Sequence, residues 1–298
     1  MKVLVTGSHG FIGSALVRSL EAGGHVVVRL VRSDPGPGDV LWDPLTGRID
    51  AGRLEGIDGV VNLAGHGIGR PWWTAGHKAR VLDSRVRGTT LLAETAAALP
   101  KPPAVIVSGS SVGYYGSRGD EILTESSEPG DGFLAEVVGQ WEAATAPASD
   151  AGIRVVLSRS GTFVVGKGGA VPPMLIPFRI GFGGRSGSGK QWWSWISLAD
   201  EVGAITHLLE NEEMAGPVIL ASPNPVTNAE FARALGRVMH RPSFFPTPPA
   251  LLKAAMGPEM AAEMVLVSQR AMPERLLASG YRFVHTDVEA ALRAALAA

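Results

Sequence analysis

The chain has 298 residues, 45% of them hydrophobic and 18% charged, enough material for a sizeable core in one large domain or two lobes. Its formal net charge of −1 provides no field to gather phosphate backbones or anionic lipid, so the expected partner is a small molecule, not nucleic acid or a membrane surface. With no cysteine, disulfides, thiolate nucleophiles and cysteine-bound zinc are excluded.

The first residues, "MKVLVTG", run straight into a glycine turn, too short for the apolar region of a signal peptide. No run of about 18 apolar residues follows that could span a bilayer, and the expected location is cytoplasmic. Lys2 to Thr6 reads as a strand, and "FIGSALVRSLEAGGH" as a helix stopped by Gly23 and Gly24. "VVVRLV" at Val26 to Val31 is a second strand, "GVVNLAG" a third ending near Asn62, and "KPPAVIVSGS" a fourth, with a helical crossover from Thr74 to Leu99. Asp131 to Ser149 reads as one helix, followed by the strand "IRVVLSRS". Strands alternating with helices predict an α/β fold, a Rossmann-type doubly wound parallel sheet covered on both faces. After Ser160 the chain turns rich in Gly, Pro and Trp, except for "ISLADEVGAITHLLE" and "AGPVILAS", which read as a helix and strand returning to the main sheet. The expected division is a nucleotide-binding lobe of residues 1–160 with 196–222, and a smaller C-terminal substrate lobe of 161–195 with 223–298.

Between the first strand and its helix, "VTGSHGFIG" spaces glycines at Gly7, Gly10 and Gly13. A tight turn, a backbone free to approach a pyrophosphate, and close helix packing all require glycine in such a loop. Gly7, Ser8, His9, Gly10, Phe11, Ile12 and Gly13 are therefore the expected cofactor loop. A site that prefers NAD places a carboxylate about 20 residues further on, at the end of the second strand. This strand ends "RLVRS", with Val31 near the carboxylate position and Arg32 and Ser33 beside it. A guanidinium and a hydroxyl suit a 2′-phosphate, so the expected cofactor is NADP(H).

"VTGSHGFIG", "VVNLAG" and "SGSSVGYYG", in this order, resemble the short-chain dehydrogenase/reductase superfamily, extended type. "GQWEAA", "GKGGAVPPMLIPFRIGFGG", "GSGKQWWSWISLADEVGAI" and "NPVTNAEFARALG" extend the likeness over nearly the whole chain. They are similar to the atypical "epimerase family protein" group, described as NAD-dependent epimerase/dehydratase-like or nucleoside-diphosphate-sugar epimerase-like. The superfamily resemblance implies a Ser or Thr after the fourth strand and, on the next helix, a Tyr and Lys four residues apart that pass a proton while the nicotinamide passes hydride. Aligning Trp141 and Glu142 places Leu134 and Val138 where that dyad should stand, so it is absent. The nearest substitutes are Ser111, Tyr114 and Tyr115; Glu136 is a further candidate acid, for which a solvated helix face is the competing explanation. By the same resemblance Leu63, Ala64 and Gly65 border the cofactor, Arg85 reaches toward it, and Ser160 lies on the nicotinamide side.

Three other signals point elsewhere. "GSSVG" at Gly109 to Gly113 matches a hydrolase nucleophile elbow, but a polar loop follows it where that motif needs a helix. "GRSGSGKQ" has the glycine and lysine spacing of a P-loop, yet Gln191 replaces the residue that would ligate magnesium. The histidines have no metal-ligand spacing, so no metal is expected. Trp72, Trp73, Trp192, Trp193 and Trp195 read as packing groups or as a platform for a flat substrate. The expectation is an NADP(H)-dependent oxidoreductase or epimerase acting on a small carbonyl or sugar-nucleotide-like substrate; the alternative is a non-catalytic NADP(H)-sensing protein. The oligomeric state is open, a homodimer being one arrangement.

Overall fold

The computed structural model describes residues 1–297; Ala298, the end of the expected smaller lobe, lies outside them. The first half alternates as the sequence predicts: β1 Lys2–Thr6, α1 Phe11–Ala22, β2 Val26–Val31, then a pair of short strands, β3 Val40–Asp43 and β4 Arg48–Ile49. β5 Gly59–Asn62, α2 Ala75–Ala98, β6 Val105–Ser111 and β7 Ile122–Leu123 follow. Thr74 starts α2 by accepting the His77 N–H on its hydroxyl, a cap that satisfies one of the helix's orphan donors. The helix expected over Asp131 to Ser149 is two helices, α3 Phe133–Ala143 and α4 Ala146–Asp150. Gly132, at φ 110, delays the start, and Pro147, which has no N–H, belongs to the first turn of the second helix and cannot continue the first. β8 Arg154–Ser160 completes the run.

The remainder comprises β9 Phe163–Val165, α5 Val171–Arg179, β10 Trp192–Trp193, β11 Trp195–Ser197, α6 Leu198–Glu210, β12 Gly216–Leu220 and β13 Val226–Thr227. α7 Asn228–Met239, α8 Pro249–Met256, α9 Pro258–Met260, β14 Arg270–Ala271, α10 Glu274–Ala278 and α11 Val288–Ala297 end it. Eight strands form the main sheet in the order β12-β8-β6-β5-β1-β2-β3-β4, parallel except for the β3–β4 pair. The chain builds outward from β1 through β2 to β4, then crosses back to β5 and builds the other way. Strand order therefore reverses between β1 and β5, the place where such sheets open a crevice beyond their C-terminal ends.

Alternating strand residues feed two cores. Val3, Val5, Val61 and Val107 face Leu16 and Leu20 of α1 and Ile205 and Leu208 of α6. Leu4, Val60 and Ile106 face Leu92, Ala93 and Ala96 of α2, joined by Trp42 of β3. A further core gathers Phe163, Leu175, Phe178, Trp193, Trp195, Phe231 and Leu292, drawn from segments separated in sequence by α6 and β12. Leu208 is fully buried between α6 and the sheet. Leu208→Ala should cost about 2–5 kcal/mol, lost transfer energy plus a cavity, and lower the urea midpoint at unchanged slope.

Candidate functional site

β1 delivers the chain to the switch point, where Gly7 adopts φ 66 and its carbonyl accepts the Gly10 N–H at 2.9 Å. A Cβ on Gly7 would lie 2.7 Å from the Leu63 carbonyl oxygen, and one on Gly13 would collide with the Gly7 carbonyl. α1 then begins with no side-chain cap and no acidic residue in its first turn. Its free N–H groups and positive dipole end are open to an anion. Within this cradle Ser8 Oγ is buried and has no hydrogen-bond partner.

A cleft of about 510 Å³ opens from the loop. It brings together the predicted residues Gly7, Ser8, His9, Gly10, Arg32, Ser33, Leu63, Ala64 and Gly65. Arg32 and Ser33 are exposed at its mouth, and no carboxylate lies within 4 Å of Arg32 among the described residues. Phe11, Ile12 and Gly13 form the first turn of α1 beside it. Sequence reasoning missed the outer wall, Trp42 to Leu45, together with Arg80 of α2. Trp42 comes from the short β3 strand, whose signal was only the alternation of "VLW" between loop residues.

Arg85 lies behind Gly65. Its Nη1 donates to the His66 carbonyl at 2.9 Å and the Val81 carbonyl at 3.1 Å, and the guanidinium stacks 5.1 Å from the Trp141 ring centre. A Cβ on Gly65 would stand 3.1 Å from Arg85 Cζ. Burial pulls its pKa down to about 10, and no carboxylate lies within 4 Å among the described residues. Arg85 is not among the residues that line the cleft; it packs beneath Gly65, and the uncapped end of α1 is the feature open to an anion.

The predicted residues at the C-terminal ends of β6 and β8 are not among those lining this cleft. Ser111 Oγ accepts the Gly113 N–H at 3.0 Å, capping the turn that follows β6. Tyr115, expected at the substrate, is fully buried: its phenol oxygen accepts from Arg159 Nη1 at 2.8 Å, and burial pushes its pKa up to about 12, against the pull of that guanidinium. It is an anchor. Tyr114 is half-buried beneath the Arg159 guanidinium, 3.7 Å from its ring centre. Arg159 also forms a bidentate pair with Glu142, at 2.8 Å to each oxygen, and Ser110 Oγ donates to the same carboxylate at 2.5 Å. Leu134 is half-buried and Val138 buried, as aliphatic groups at the dyad positions should be. Glu136 is exposed and accepts from Gln140 at 3.2 Å, the solvated explanation. Ser160, expected beside nicotinamide, turns to Glu201 of α6, donating to its Oε1 at 2.6 Å. Glu201 is wholly buried, its Oε2 has no partner, and burial raises its pKa to about 7.

The competing motifs take structural parts. In "GRSGSGKQ" Ser186 N–H donates to Asn228 Oδ1 at 2.7 Å and Gln191 Nε2 to the Ser186 carbonyl at 3.0 Å, pinning a loop against α7. Trp193 and Trp195 are buried in the third core, and Trp192 lies under the Arg270 guanidinium at 4.3 Å. Trp73 meets the edge of Phe133 at 5.4 Å, while Trp72 is 56% exposed, its N–H held by the Met256 carbonyl at 2.8 Å. Among the described residues no cluster of three metal-ligating side chains occurs, and no helix is long and apolar enough to cross a membrane.

Fold and cleft together define a Rossmann-type protein of the dinucleotide-binding class. Residues 3–220 match the model of the NAD dependent epimerase/dehydratase family, to which the chain belongs. Residues 247–295 match a domain of unknown function, DUF1731. The chain is 42% identical over 291 residues to an epimerase family protein of Mycobacterium bovis, covering 97% of this chain and 96% of that one. It is similar to the crystal structure of human epimerase family protein SDR39U1 with NADPH: TM-score 0.91, 40% identity, 99% of each chain covered. A structure named nucleoside-diphosphate sugar epimerase from Corynebacterium glutamicum matches with TM-score 0.83 and 39% identity, over 99% of this chain but 58% of that one.

The raised Glu201 pKa has a defined sign. Between the ordinary carboxylate value and about 7 the folded state binds a proton that the unfolded state has released, so this group's contribution weakens as pH rises through that window. Glu201→Gln, neutral throughout, should gain about 1–3 kcal/mol relative to the parent between pH 5 and pH 8. Denaturant unfolding at the two pH values measures this; a constant difference would mean that Glu201 does not titrate there.

Proposed function

We propose that the chain is an NADP(H)-dependent oxidoreductase or epimerase of a small carbonyl or sugar-nucleotide-like substrate. The observation that carries the cofactor is the end of β2: Val31, Arg32 and Ser33 line the cleft where a site built for NAD would present a carboxylate. The human relative crystallised with NADPH supports the same choice. In this reading the open end of α1 binds the diphosphate, and Arg32 with Ser33 hold the 2′-phosphate. Residues 1–160 with 196–222 carry the dinucleotide, and 161–195 with 223–298 help enclose a small-molecule substrate.

When bound, the nicotinamide supplies a hydride acceptor or donor. The chain's own task is to orient the substrate oxygen and hold the proton. Ser111 keeps its hydroxyl hydrogen free, because its Oγ acts as acceptor toward Gly113. Tyr114 is the more exposed phenol, since Tyr115 is enclosed with Arg159. Leu134 and Val138, in place of Tyr and Lys, favour the second reading, a protein that binds NADP(H) and senses it without turnover.

Arg32→Ala should weaken NADPH binding by about tenfold or more and leave NADH nearly unchanged, measured by cofactor fluorescence. Incubation with C4-deuterated NADPH and a metabolite extract separates the two readings. Label in a product establishes hydride transfer, and Ser111→Ala or Tyr114→Phe should then slow it by about 10²–10⁴-fold. Tight binding with no labelled product, and no interconversion of candidate sugar nucleotides, would sink the enzymatic reading and favour the sensor.

A further inference from the structure

The turn after β9 packs closely on Phe11, where the glycine loop enters α1. Cβ atoms added to Gly166 and Gly168 would press into the Phe11 ring, the first at 2.5 Å, and one on Gly169 would lie 3.3 Å from it. Gly169 also has φ 64, so the backbone of residues 166–169 folds around an aromatic ring in a path that side chains would block. Phe11 is the first residue of α1, the helix whose start carries no cap. The strap is thus built against the anion-binding end of that helix.

Lys167 stands between two of these glycines. It is exposed, and no carboxylate lies within 4 Å of it among the described residues. Its flexible stem extends roughly 6 Å, enough to reach across the Phe11 ring toward the first turn of α1. Near that turn the buried Ser8 Oγ remains without a partner. A cation there adds a positive charge to the uncapped helix end.

We propose that Lys167, carried on the glycine strap 166–169 around Phe11, binds the cofactor diphosphate at the open end of α1. The inference rests on the NADP(H) reading above and assigns a phosphate contact to the segment that leaves the main sheet after β8. The strap then links cofactor occupancy to the third core, whose first members Phe163 and Val165 immediately precede it.

Binding is measured by equilibrium titration with two ligands: NADPH, and 2′-AMP, which has the 2′-phosphate and no diphosphate. Lys167→Ala should weaken NADPH by about three- to tenfold, reduce the salt dependence of its affinity and leave 2′-AMP unchanged. Lys167→Arg should restore most of the loss, and Arg32→Ala should weaken both ligands. Gly168→Ala, with its methyl against Phe11, should weaken NADPH in the same direction. Unchanged NADPH affinity in Lys167→Ala, or an equal loss for both ligands, overturns the Lys167 assignment while leaving the cofactor reading intact. A parent protein that binds neither ligand removes both.

Discussion

One buried hydroxyl holds the cleft together. Thr6 Oγ1, at the end of β1, donates to Asn62 Oδ1 at 2.8 Å and accepts the Leu63 and Ala64 N–H groups at 3.0 Å each. Asn62 Nδ2 continues to Thr89 Oγ1 at 2.8 Å, which also accepts Trp141 Nε1 at 3.0 Å. The two loops that must stand on either side of a dinucleotide are thus tied at the point where the strand order reverses. Polar groups in this dry position need partners, because an unsatisfied one costs about 1–3 kcal/mol. Satisfying them fixes the separation of the loops, and Gly7, with no side chain toward Leu63, allows that separation to be short.

A second buried network joins α3 to β8 and the turn after β6. Leu134 and Val138 are aliphatic, while the fixed charge under the β6 turn is the Arg159–Glu142 pair. An ion pair this far from water gains little net stability, and its desolvation is offset only because every oxygen and nitrogen used is hydrogen-bonded. Its effect is positional. Arg159 closes on Tyr115 and roofs Tyr114, while Glu142 holds Ser110, so the backbone that presents Ser111 is held from below. The cation therefore serves the scaffold, and Tyr115, which a sequence shows only as a phenol near a serine, becomes part of that support.

The first seven elements, apart from the β3–β4 pair, could be read from the chain because apolar runs, glycine stops and helical spacing agree there. The β3–β4 pair could not: a strand as short as Val40–Asp43 has too little periodicity, and its identity comes from Trp42 packing on α2 residues far away in sequence. The glycine turn between β1 and α1 was readable because its geometry admits few residue types. The partners of Ser160 and the burial of Tyr115 were not readable, for the opposite reason. Their roles depend on Glu201 and Arg159, partners that only the fold brings near, and a hydroxyl on a strand end has no local pattern that tells it which way to turn.

The C-terminal segments, least predictable of all, are joined to the sheet by specific polar contacts. Asp200 of α6, buried, accepts from the Val284 N–H at 2.6 Å and the His285 N–H at 3.0 Å, and Lys78 of α2 pairs with Glu259 at 2.8 Å. Glu263 reaches furthest. Its carboxylate accepts the Phe133 and Leu134 N–H groups at 3.0 and 2.7 Å, acting as an N-terminal cap for α3 supplied from a distant part of the chain. α3 is the helix on which the dyad would stand, so its first turn is set by a segment near the C-terminal end of the described chain. Any movement of that segment on ligand binding would be transmitted directly to Leu134 and the turn bearing Ser111, a coupling that serves turnover and sensing equally well.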